Sequence, residues 1–254
     1  MKKLISIYLI VLTLLSGTVF AEGNAVKFSD FDLEKENLIF CGQFGVFVGY
    51  EDGTFKPDNY ITRAEMVNML IRERKLSSYL SSDTPNEEIN FTDVNNTHPM
   101  YEAIKTAVNA KMISGYGDGT FRPDEYVTYE QAIKMILSML GYEPMADMYG
   151  GYPTGYMALG YNNKFFKAAG SALDWASCDV EKMTEERQKE CLTRREAAHM
   201  ISRAFLIEFC IITGVETNWD GSHTYELSIG GEDSVAKTIY STSGNVQHYE
   251  FSDY

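Results

Sequence analysis

One segment of the chain repeats another, and that constrains its fold more than any local propensity does. Gly49-Tyr50-Glu51-Asp52-Gly53-Thr54-Phe55-Lys56-Pro57-Asp58 returns 66 residues later as Gly115-Tyr116-Gly117-Asp118-Gly119-Thr120-Phe121-Arg122-Pro123-Asp124. Upstream, Phe28-Ser29-Asp30 is echoed by Phe91-Thr92-Asp93. Downstream, Ile61-Thr62-Arg63-Ala64-Glu65 is echoed by Val127-Thr128-Tyr129-Glu130-Gln131. A third copy of the last landmark is Leu192-Thr193-Arg194-Arg195-Glu196, without the glycine-rich turn. Units this small cannot bury a face alone, so they must pack on one another.

Each third landmark predicts a helix start. Thr62 with Glu65, Thr128 with Gln131 and Thr193 with Glu196 have capping-box spacing, which gives threonine and its partner a structural role. Behind them, Met66, Val67, Met69 and Leu70 align with Ala132, Ile133, Met135 and Ile136, and with Ala197, Ala198, Met200 and Ile201, as one buried helical face. In the second copy, helices are predicted over Tyr101 to Lys111 and Tyr129 to Leu140, with Gly141 as a C-terminal cap. The Asp-Gly pairs at 52–53 and 118–119 signal turns in which glycine takes positive φ, with Phe55 and Phe121 as apolar anchors.

Arg63 and Arg194 fall at the first helical position, where the macrodipole mildly disfavours a cation. A cation there suits an anion that the exposed backbone N–H groups would also attract. The competing reading is an internal salt bridge, which an acidic chain makes common.

Lys2 and Lys3 before the apolar run Leu4 to Leu15, then small residues to Ala21, predict a secretory signal peptide over residues 1–21. No second apolar run of spanning length follows. Formal net charge is −14, and −16 without Lys2 and Lys3, which argues against a nucleic-acid partner. Export permits disulfides, and Cys41, Cys178, Cys191 and Cys210 allow three pairings among which sequence does not choose. No metal-ligand spacing, cofactor motif, GxSxG, HExxH or P-loop occurs, so neither an enzyme nor a cofactor is expected.

Taken together, the Phe-x-Asp starts, the turns and Thr62-Arg63-Ala64-Glu65 resemble the S-layer homology domain of bacterial surface proteins, over about residues 28 to 207. The resemblance implies a mainly α fold of three helix-turn-helix repeats in a pseudo-threefold bundle, at 28–80, 91–142 and, divergent, 145–209. It implies a protein exported to the cell wall or cell surface that binds an anionic secondary cell-wall polysaccharide, often through a pyruvylated amino sugar. By position it assigns Asp30, Gly49 and Arg63 in the first repeat, Asp93 and Gly115 in the second, and Arg194 in the third.

Departures limit the transfer. Tyr129 stands where the family has arginine and Pro99 where it has tryptophan. The first repeat is shortened, and the third has a charged segment, Cys178 to Cys191, in place of the turn. One or two working grooves are expected, and a surface scaffold that has lost wall binding is the alternative; self-association stays open. Residues 215–254 change to strand-like alternation, with strands predicted at 224–229, 236–240 and 246–251 around Gly244.

Overall fold

In the computed structural model the described residues are 26–36, 38–75, 85–162, 186, 189–218 and 223–234. The predicted signal peptide, Cys178 with most of its charged segment, and the predicted strands at 236–240 and 246–251 lie outside them.

All three predicted capping boxes form. Thr62 N–H donates to Glu65 Oε2 at 2.9 Å and Glu65 N–H returns to Thr62 Oγ1. Thr128 with Gln131 and Thr193 with Glu196 do the same. They start α2 (Arg63–Lys75), α4 (Tyr129–Met139) and α7 (Arg194–Ala204). The other helices are α1 (Ile39–Gln43), α3 (Tyr101–Asn109), α5 (Glu143–Met148) and α6 (Thr154–Asn162). The regular structure among the described residues is thus mostly helical, with one small antiparallel two-stranded sheet.

The aligned apolar columns face inward: Met66, Leu70, Ile133, Ile136, Ala197 and Ile201 are buried, and α2, α4 and α7 touch one another pairwise. Where the chain enters these helices, Ile61 N–H donates to Leu192 O, Leu192 N–H to Val127 O, and Val127 N–H to Ile61 O, at 2.9–3.1 Å. The three hydrogen bonds close a ring, and each residue is buried. Such a ring satisfies backbone groups that would otherwise be stranded in the core.

The turns follow the sequence. Gly53 and Gly119 have φ of 78° and 82°, and Phe55 and Phe121 are buried. Gly141 caps α4 with φ 83°, and a Cβ there would sit 2.3 Å from Cys210 O, because Cys210 N–H bonds Leu140 O. Arg195 and His199 of α7 both bind the Glu36 carboxylate, which ties the N-terminal segment to the last capped helix.

Three expectations are corrected. The helix-start N–H groups are not open to a ligand. Arg63 and Ala64 donate to Glu125 O and Pro123 O, Arg194 and Arg195 to Asn59 O and Pro57 O, and Tyr129 to Glu190 O. Each capped helix therefore spends its first donors on the loop of another unit. The β region begins before residue 215: β1 (Glu208–Thr217) pairs antiparallel with β2 (His223–Ser234), because the Phe209-Cys210-Ile211-Ile212 run continues extended out of α7. The first helix of the second copy stops at Asn109, since Lys111 turns into positive φ at 56°.

Candidate functional site

The two Phe-x-Asp starts build the turns. Asp30 accepts from the N–H groups of Phe55 and Lys56 at 2.7 and 2.9 Å, and Asp93 from those of Phe121 and Arg122 at 2.8 and 2.7 Å. Lys56 and Arg122 sit at φ 54° and 59°, a costly conformation for a residue with a Cβ, and the carboxylate holds them there. Burial opposes ionisation of Asp30, but the Phe55 and Lys56 N–H groups outweigh it and keep its carboxyl below the ordinary value.

Gly49 and Gly115 are glycines because the first aromatic of each unit lies on them. A Cβ on Gly49 would be 2.6 Å from the Phe28 ring and from Thr54 O. On Gly115 it would be 2.2 Å from the Phe91 ring. Phe28 and Phe91 in turn pack on Phe55 and Phe121, with ring centroids 5.0 and 5.4 Å apart.

Arginine grouping differs from the assignment by position. Arg63 does not join Asp30 and Gly49; it reaches the turn of the second unit, where Nε donates to Phe121 O at 2.9 Å and Nη2 to Ser114 O at 3.0 Å. Arg194 reaches the turn of the first unit, donating to Phe55 O at 2.7 Å and Val48 O at 2.6 Å. Val48 and Phe55 are the residues 66 positions before Ser114 and Phe121. The two arginines thus make equivalent contacts across different junctions, Arg63 beside Gly115 and Asp93, Arg194 beside Gly49 and Asp30.

The surroundings of the two guanidinium groups differ. Arg194 Nη1 pairs with Glu65 Oε1 at 2.8 Å, the arginine 2% and the glutamate 12% exposed. The Tyr50 hydroxyl donates to the same oxygen at 2.7 Å; burial first, then that hydrogen bond, pushes the phenol up to about 12, so it remains a donor. For Arg63 the position of Glu65 is taken by Gln131, whose amide faces the Tyr116 hydroxyl at 3.5 Å. Among the described residues Arg63 has no carboxylate within 4 Å. Burial lowers its pKa from the ordinary value, yet arginine stays cationic at physiological pH.

At the remaining junction the arginine is replaced. Tyr129, fully buried, donates its hydroxyl to Glu196.

A pocket of about 520 Å³ opens beside Arg63. Lys111 and Lys134 add two further cations to its wall, against one carboxylate, Glu143. Tyr116 and Tyr152 supply aromatic faces, with Lys134 Nζ 5.2 Å from the Tyr152 centroid. Gly115, Ser114 and Gln131 complete the side where Arg63 enters. Sequence reasoning missed Lys134, which carries no motif of its own, and gave Gln131 a capping role alone; both gain meaning at this site from the arrival of Arg63.

Comparison with known proteins matches both turns and the starts of α2 and α4 to a family: the S-layer homology domain profile covers residues 38–67 and 90–133. These two segments are similar to the S-layer homology domain. The chain's similarity extends to a surface layer protein of Brevibacillus choshinensis, 32% identical over 116 residues, which are 46% of this chain and 10% of that protein. A cellulosome-anchoring protein of Acetivibrio thermocellus is 40% identical over 80 residues, 32% of this chain and 17% of the relative. Cell surface glycoprotein 1 of the same organism is 30% identical over 157 residues, 59% of this chain and 6% of the relative. The chain therefore spans only a small part of the length of the curated relatives it matches. No described helix is long and apolar enough to cross a membrane.

Proposed function

We propose that this is a cell-surface protein that attaches non-covalently to the bacterial cell wall by binding an anionic secondary cell-wall polysaccharide. Three units arranged about a pseudo-threefold axis through Ile61, Val127 and Leu192 would bring the arginine of one unit to the turn of another. The closed hydrogen-bond ring and the pairwise contact of α2, α4 and α7 support that arrangement.

The observation that carries the binding reading is the Arg63 pocket. It combines a buried arginine with no carboxylate partner among the described residues, two lysines and two tyrosine faces, a lining suited to an acidic sugar. The cations meet the carboxylate of a pyruvylated residue, and the rings present apolar faces to the sugar. Gly115 and Arg63 belong to this groove directly, while Asp93 holds the turn that forms it. Gly49, Asp30 and Arg194 form the equivalent groove at the junction of the third and first units. The names of the surface layer and cellulosome-anchoring relatives support a wall-attachment role; the relatives' larger bodies are not matched by this chain.

Co-sedimentation of the full chain with purified sacculi, before and after acid extraction of the secondary polymer, tests the reading. Binding should disappear with the polymer, and Arg63→Ala, verified as folded by circular dichroism, should weaken it at least about tenfold. A folded wild-type chain that binds neither preparation would instead favour a surface scaffold.

A further inference from the structure

The three junctions pair a first-turn residue of one capped helix with the third-position residue of the next: Arg194 with Glu65, Tyr129 with Glu196, and Arg63 opposite Gln131. All three third-position residues perform the same capping task, since Glu65 and Glu196 accept through Oε2, and Gln131 through Oε1, from their own threonine N–H. Capping therefore does not distinguish glutamate from glutamine here. What differs is the other oxygen or nitrogen: Glu65 Oε1 meets Arg194 and Glu196 Oε1 meets Tyr129, whereas Gln131 Nε2 faces the Tyr116 hydroxyl. Glu65 places a full negative charge 2.8 Å from Arg194, and Gln131 places none near Arg63.

We infer that the capping residue acts as a charge gate on each groove, so that Gln131 leaves the Arg63 groove open to an anionic ligand and Glu65 closes the Arg194 groove by neutralising its arginine from within. The inference rests on the anchoring reading and refines it: of the two junctions that hold an arginine among the described residues, only that of Arg63 accepts an anion. A ligand carboxylate approaching Arg194 must displace a paired, buried carboxylate or sit beside it against like-charge repulsion, whereas at Arg63 the described carboxylates nearby, Glu143 on the wall, Glu130 bonded to the Tyr152 hydroxyl and Glu125, make no ion pair with the guanidinium. At the Tyr129 junction the described first-turn side chain is a phenol that donates to Glu196 rather than a guanidinium.

The consequence is a pair of opposite single-atom-scale changes. Gln131→Glu should close the open groove, and Glu65→Gln should open the closed one. Both substitutions keep the capping box, as each residue already caps its own helix in this chain. Isothermal titration of the full chain with the methyl glycoside of a 4,6-pyruvylated N-acetylhexosamine reads the stoichiometry, with thermal melts to establish folding. Wild type should bind one equivalent, Gln131→Glu should lose at least about tenfold in affinity, and Glu65→Gln should bind two equivalents. Two equivalents in wild type, an unchanged Gln131→Glu, or a single equivalent in folded Glu65→Gln overturns the gate and leaves the anchoring reading standing. If Glu65→Gln does not fold, Gln131→Glu alone decides the gate. No binding by wild type and Glu65→Gln alike, both folded, removes the anchoring reading and the gate with it.

Discussion

Replacing Arg194 by methionine keeps most of the side-chain volume and removes the charge, which separates the ion pair from packing. The loss leaves the Glu65 carboxylate, 12% exposed, without its cation, and leaves Phe55 O and Val48 O without their charged donor. Removing one partner of a buried pair costs about 3–5 kcal/mol, most of it for the charge left behind. Arg63→Met removes two matching hydrogen bonds, to Phe121 O and Ser114 O, but strands no carboxylate. That loss is worth about 1–3 kcal/mol. Arg194→Met should therefore be the more destabilising by about 2 kcal/mol. Urea unfolding followed by circular dichroism reads the difference in midpoint, provided the slope is unchanged. Adding Glu65→Gln to Arg194→Met should recover part of the loss, with a coupling energy of about 1–3 kcal/mol. Equal costs for the two arginines, or a coupling within about 0.5 kcal/mol of zero, would refute the account of the two junctions.

Gly115→Ala puts a methyl 2.2 Å from the Phe91 ring and 2.8 Å from Thr120 O. It should cost about 1–3 kcal/mol in a urea titration, because the carbonyl cannot yield as a side-chain end could, and should reduce wall binding through the displaced turn. The carboxyl of Asp118 is lowered from its ordinary 3.8 to about 2 by the Thr120 hydroxyl, then by Arg122 and the Thr120 N–H. A depressed folded pKa gives stability that is present above the unfolded value and lost as pH falls through the folded one. Thermal melts should therefore show that contribution disappearing between about pH 3.8 and 2, and Asp118→Asn should flatten that part of the acid limb; an unchanged limb would show that the turn is held by other groups.

Local chemistry made much of the fold legible. A capping box spans four residues, an Asp-Gly turn needs positive φ whatever surrounds it, and a helical apolar face follows from period alone. Thr62, Thr128 and Thr193, Gly53 and Gly119, and the columns behind each box could therefore be read directly, and repetition located Arg63 and Arg194 as unusual cations. The β ribbon was placed too late because Phe209 to Ile212 suits a buried helix or a strand equally, and short apolar runs do not discriminate.

What the sequence by itself determined was the repeated turn landmarks and the start of each capped helix. Only the tertiary structure decided which arginine met which turn, since Arg63 finds Ser114 and Phe121 at separations of 51 and 58 residues and Arg194 finds Val48 at 146. That assignment consumed the helix-start N–H groups in backbone contacts between units, and it set Glu65 against Arg194 and Gln131 beside the Arg63 pocket. The physical reason is range: caps and turns are settled within a few residues, whereas the charge balance of a groove depends on side chains that packing alone brings together.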